Sequence, residues 1–102
     1  MYSRAMKNLD EILAVLRRIE PQLRQHYPIR ELGVFGSYVR SEQREDSDLD
    51  ILIEPGEGMT LPDYADLQSE LSEALGVKVD LANKRTLKPR IGQRILAEVK
   101  MV

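Results

Sequence analysis

The 102-residue chain has no cysteine and a single histidine, His26. Without cysteine there is no disulfide framework and no thiolate nucleophile, and a reducing compartment fits. Zinc sites draw on cysteine and histidine, so zinc is a poor match. An excess of one charge is also missing. The 15 basic and 17 acidic residues are mixed along the chain and leave a net charge of −2. A general nucleic-acid binder carries a strongly basic face, so direct nucleic-acid binding is not expected. Long apolar runs are absent as well. Near the start the longest, Ile12–Leu16, is far too short to span a bilayer or act as a signal peptide, so a cytoplasmic protein without membrane association is expected. No repeat or linker-like segment interrupts the chain, and residues 1–102 read as one small domain.

What is present is enough apolar residue, 42%, for a single core. Met6, Leu9, Ile12, Leu13, Leu16 and Ile19 recur at three- and four-residue spacing, which predicts an amphipathic helix over residues 3–20. Pro21 either kinks it or opens a second short helix running to about Tyr27, and Pro28 ends it. Leu32, Val34 and Phe35 predict a strand closing at Gly36; residues 37–47 have room for one or two helical turns. Residues 48–54, "DLDILIE", predict a second strand stopped by Pro55–Gly56. Thr60 then caps a helix with Pro62 in its first turn, an apolar face of Leu61, Tyr64, Leu67, Leu71 and Leu75, and a stop at Gly76. "VKVDLA", residues 77–82, is a third strand. The last helix begins near Pro89 with Ile91, Ile95, Leu96 and Val99 on its buried side. The expected fold is mixed α/β, a three-stranded mixed sheet flanked by helices.

Two carboxylates, Asp48 and Asp50, stand at the mouth of the second strand and point to one face. Like charges that close disfavour each other, so they either face water or share a cation. Asp80 lies in the third strand with Val79 and Leu81 turned the opposite way, and joins them if the two strands are neighbours. Such an oxygen-only set suits a hard cation, Mg²⁺ or Mn²⁺. Gly36–Ser37 ends the first strand; glycine admits close approach of a ligand, and the hydroxyl with nearby N–H groups suits a phosphate. A phosphate cradle facing a carboxylate-bound ion is the apparatus of phosphoryl or nucleotidyl transfer. Each part alone has a plain alternative, a turn for Gly-Ser and a solvated strand edge for D-x-D. An EF-hand loop fails, because its sixth position would be Ile53 rather than glycine. Arg40, three residues past Ser37, could reach a phosphate or pair with Glu42 or Asp46; Asp46 and Ser47 read as turn and cap residues. Lys84, Arg85, Lys88, Arg90 and Arg94 form either a solvated face or an anion or partner surface. Tyr38 is the tyrosine beside the proposed site.

Gly36–Ser37, ten residues, Asp48-x-Asp50 and a later strand-borne Asp80 together resemble the signature of the polymerase-β-like nucleotidyltransferase superfamily. Within it the chain looks like the minimal nucleotidyltransferases, the MNT (MntA-like) group, along "LGVFGSYVR", "SDLDILIE", "VDLA" and "LKPRIGQRILAEV". One departure is Ser41, where members commonly have glycine after the arginine. The resemblance implies a polymerase-β-like core that takes ATP, with Mg²⁺ (or Mn²⁺) held by Asp48, Asp50 and Asp80, the last also helping to deprotonate the acceptor. It implies nucleotide binding by Gly36 and Ser37, with Arg40 on the triphosphate. It further implies an antitoxin in a hetero-oligomer with a HEPN-domain ribonuclease toxin, on which it places AMP at a tyrosine. The alternatives are an antitoxin that masks its partner sterically, and the catalytic subunit of a small-molecule nucleotidyltransferase.

Overall fold

The computed structural model describes residues 7–102, so Tyr2 and the expected helical residues 3–6, Met6 among them, lie outside it. Helix α1 spans Leu9–His26 and starts where Asn8 caps it: Asn8 Oδ1 accepts from the Glu11 N–H (2.8 Å) and Glu11 Oε1 accepts from the Asn8 N–H (3.2 Å). Pro21 lies inside this helix rather than opening a new one. It removes one backbone donor, but the segment beyond it is anchored. Leu23 is buried, and the Arg24 guanidinium donates to the Ile29 carbonyl at 2.7 Å.

Strand β1 (Ile29–Phe35) runs antiparallel to β2 (Leu49–Pro55). The intervening residues 37–47 form hydrogen-bonded turns rather than a regular helix, the Arg40 N–H donating to the Gly36 carbonyl as in a single helical turn. Helix α2 (Leu61–Leu75) is capped by Thr60 and Asp63 and stopped by Gly76 in the left-handed conformation (φ 67°). It carries the chain across to β3 (Val79–Asn83), which lies parallel to β2. A short 3₁₀ turn (Lys84–Thr86), helix α3 (Pro89–Glu98) and strand β4 (Lys100–Met101) complete the order. The sheet therefore has four strands, β3-β2-β1-β4, one more than expected. Two residues carry no readable strand pattern. The clue is Gly33, where a Cβ would come within 2.7 Å of Val99 Cγ2 and 2.9 Å of Met101 Sδ. Glycine makes room for β4.

One sheet face holds the core. Leu32, Val34, Leu49, Ile51, Ile53 and Val79 pack with Ile12, Leu16 and Leu23 of α1 and Leu67, Leu71 and Leu75 of α2, nearly sealed from water. Two expected core faces need correction. Leu61 sits in the first turn of α2 and is 84% exposed, and on α3 only Gly92 and Ile95 are buried, leaving Ile91 and Leu96 half exposed. Among the described residues no helix is long and apolar enough to cross a membrane.

Candidate nucleotidyl-transfer site

The strand register explains the ten-residue spacer. Gly36 and Ser37 follow the last residue of β1, the turns reverse the chain, and Asp50 on β2 lies opposite Phe35. Backbone bonds within the turns (Arg40 N–H to the Gly36 carbonyl, 3.3 Å; Glu42 N–H to the Ser37 carbonyl, 2.9 Å) hold the reversal together. The Leu49 N–H donates to the Lys78 carbonyl at 2.8 Å and starts the parallel pairing of β2 with β3, which sets Asp50 beside Asp80. All three motif segments thus meet at one end of the sheet. Asp50 is half-buried, whereas Asp48, just before the strand, and Asp80 are exposed.

The local backbone has specific reasons. Gly36 has φ 82°, where side chains are strained, and a Cβ there would fall on Asp50 Oδ2. Ser41 adopts φ 58°, which accounts physically for glycine being common at this place. Ser47 Oγ accepts from the Arg44 N–H (2.7 Å) and closes the turn before Asp48, in keeping with its expected turn role. Tyr38 is 3% exposed and belongs to the core, with burial and the Asp48 charge raising its phenol above the ordinary value.

Electrostatics single out Asp50. Burial, then the charges of Asp80 and Asp48, push its carboxyl up to about 6. Among the described residues no three acidic or imidazole side chains form a ready-made metal cage. Mg²⁺ does not require one; it is commonly held by one or two carboxylates with nucleotide phosphates and water. Oxygen-only donors carrying uncompensated negative charge fit such an ion.

Arg40 is bound on two sides. Its Nε donates to Glu42 Oε1 (2.9 Å), one of the two ion-pair partners the sequence left open beside a phosphate, and its Nη1 donates to both oxygens of Glu98 (2.9 and 3.1 Å). Glu98 Oε2 also accepts the Gly36 N–H at 2.7 Å. A phosphate at this turn therefore finds that N–H already engaged and must draw on other donors, the Ser37 hydroxyl among them. Burial alone would raise Glu98, but the Gly36 N–H and Arg40 hold it below the usual carboxylate range. Glu98 is the site residue that sequence reasoning missed. It lies 62 residues from Gly36, and a single glutamate at a helix end carries no local signal. Of the basic cluster, Lys84 is committed elsewhere, bonded to Glu31 (3.0 Å) and Glu54 (3.2 Å). A cavity of about 250 Å³ opens between α3 and this end of the sheet, bounded by Gly36, Arg40, Asp50, Arg94, Ile95 and Glu98.

Residues 16–102 match the family described as "Nucleotidyltransferase domain". The chain belongs to the nucleotidyltransferase family. It is 44% identical over 95 residues to the protein adenylyltransferase MntA of Thermococcus cleftensis, spanning 93% of this chain and 96% of that protein. Among solved structures it resembles one assigned as a minimal nucleotidyltransferase, with 38% identity, a TM-score of 0.81, and 94% and 97% of the two chains covered. It also resembles a toxin–antitoxin crystal structure with AMP-PNP, with 25% identity, a TM-score of 0.67, and coverage of 93% and 72%. This nucleotidyltransferase accordingly has the expected mixed α/β core, with one strand more than the sequence pattern predicts.

Proposed function

We propose that this nucleotidyltransferase is a protein adenylyltransferase, the antitoxin of a HEPN-type ribonuclease toxin, and that it transfers AMP from ATP to a tyrosine of that partner. The observation that carries the reading is the Asp50–Asp80 pair beside the Gly36–Ser37 turn: facing carboxylates, one of them half-buried, at the end of a strand pair. The name of the Thermococcus cleftensis relative and the AMP-PNP-bound toxin–antitoxin neighbour support the choice of nucleotide and of a protein acceptor. Asp48 and Asp50 are the residues to hold Mg²⁺, or Mn²⁺, with the nucleotide, and Asp80 adds a further carboxylate. When bound, the ion supplies positive charge that offsets these carboxylates and the triphosphate.

The remaining chemistry falls to the chain. Ser37 and Arg40 orient the β- and γ-phosphates as hydrogen-bond donors. Asp80, exposed and able to meet an incoming side chain, accepts the proton of the tyrosine hydroxyl. The phenolic oxygen bonds to the α-phosphorus, the bond from that phosphorus to the bridging oxygen breaks, and pyrophosphate leaves. A phenol suits this acceptor role because its pKa of about 10 makes it easier to deprotonate than serine's alcohol. Arg85, Lys88 and Arg90 are exposed beyond β3 and suit docking of the partner near Asp80.

The test incubates a HEPN-type partner with this protein, ATP and Mg²⁺, followed by intact mass and ribonuclease assay. The expected result is AMP on tyrosine and a silenced ribonuclease. Asp80→Asn should stop both while leaving the two proteins bound to each other. If that variant silences the toxin as well as wild type does, steric masking replaces transfer as the mechanism.

A further inference from the structure

Glu98 lies outside the motif, yet it joins three parts of the site. It comes from the last turn of α3, its Oε2 takes the Gly36 N–H, and both its oxygens take Arg40 Nη1. Its side chain is only 24% exposed, whereas that of Glu42, which holds Arg40 Nε, is 64% exposed. The guanidinium is thus gripped at Nε and Nη1. Among the described residues nothing accepts from Nη2, so that nitrogen keeps its two N–H groups for another acceptor. Arg40, Glu98, Gly36 and Asp50 also bound the same cavity. A planar fork fixed on two sides loses little further freedom when its third side binds a phosphate. An arginine without these partners would have to be ordered at the moment of binding.

We propose that Glu98 is a positioning residue: its carboxylate holds Arg40 against the Gly36 turn so that the free edge of the guanidinium meets the triphosphate. This rests on the nucleotidyl-transfer reading above and adds a residue of α3 to it. Glu98 acts through Arg40 and needs no contact with the nucleotide.

The test measures AMP-PNP binding with Mg²⁺ by calorimetry for the full chain and a cycle of variants. Glu98→Gln keeps an amide oxygen for the Gly36 N–H but gives up the charge that grips Arg40. It should bind about ten-fold more weakly, the scale of one hydrogen bond to a charged group. Glu98→Asp keeps the charge but withdraws it by one methylene, and should fall between Gln and wild type. In an Arg40→Gln background, Glu98→Gln should cost nothing further, whereas a merely structural Glu98 would weaken binding equally in both backgrounds. Tighter or unchanged binding by Glu98→Gln overturns the proposal and makes Glu98 a competitor for the site or a bystander. A full additional loss in the Arg40→Gln background overturns it as well. Wild type that fails to bind AMP-PNP at all would instead remove the nucleotidyl-transfer reading beneath it.

Discussion

Two pairs of facing carboxylates occupy opposite ends of the same sheet face. At one end Glu31 on β1 lies opposite Glu54 on β2, and Lys84 bridges them with bonds of 3.0 and 3.2 Å. A hydrogen bond shared with the Glu31 carboxyl and the bond from Lys84 hold Glu54 below the ordinary carboxylate range. At the other end Asp50 lies opposite Asp80, and burial with the neighbouring negative charges pushes Asp50 up to about 6. Arg40 offsets this only weakly, because its bonds go to Glu42 and Glu98. The same architecture therefore solves the like-charge problem internally at one end and leaves it open at the other. An unsolved acidic pair lowers stability, and a cation brought with a substrate relieves it. That contrast separates a structural ion cluster from a site.

The comparison breaks most severely at its open end. Asp48→Asn should reduce transfer below detection in a radiolabelled-ATP assay while far-UV circular dichroism stays native, and removal of divalent ions by chelation should do the same to wild type. Ser37→Ala should lower activity about ten- to a hundred-fold without eliminating it, since one hydrogen bond to a charged group is worth roughly 1.5–3 kcal/mol. Wild-type rates at low and saturating ATP in that variant would exclude a phosphate contact. At the compensated end, Lys84→Ala should lower the urea midpoint only slightly, as expected for a solvent-screened pair, and leave transfer unchanged. The smallest effect belongs to the turn between the motif halves. Ser41→Gly removes the strain of φ 58° and should raise stability by up to about 1 kcal/mol, read as a shift in the urea midpoint.

Much of the site was legible because its residues sit where local rules are strong. Gly36 ends a strand, Asp48 and Asp50 open the next, and Thr60 and Gly76 bracket α2 by cap chemistry, so local patterns placed them in the fold, while the shared role of the site residues rested on the resemblance of the combined motif. What escaped depended on distant parts of the chain. Glu98 reaches Gly36 only because α3 returns to the sheet end, and β4 forms only because Gly33 leaves space beside β1. Ile91 and Leu96 fit a buried helical face by period, but on α3 only Ile95 of that face is buried, together with Gly92, which faces Leu87. Lys84 belonged by composition to a basic cluster; its neighbours across the sheet made it a structural ion. Pro21 reads by local rules as a kink or a new helix start, and the contacts of Leu23 and Arg24 keep it within one helix.

The central claim is that Asp50 is kept at the expense of stability for the sake of a bound cation and nucleotide, and thermal unfolding of wild type and Asp50→Asn tests it directly. The Asp50 carboxyl rises from an ordinary 3.8 to about 6 in the folded chain, so the folded state holds its proton more tightly than the unfolded chain does. Wild-type stability should consequently fall as pH rises from about 4 through 6, by at most about 3 kcal/mol. The variant, which has no charge to bury, should be more stable than wild type at pH 7–8, and its advantage should vanish near pH 4. Mg²⁺ with AMP-PNP should then stabilise wild type and leave the variant unmoved. A variant that is less stable than wild type at pH 7–8 without ligand would contradict the account and make Asp50 a structural residue.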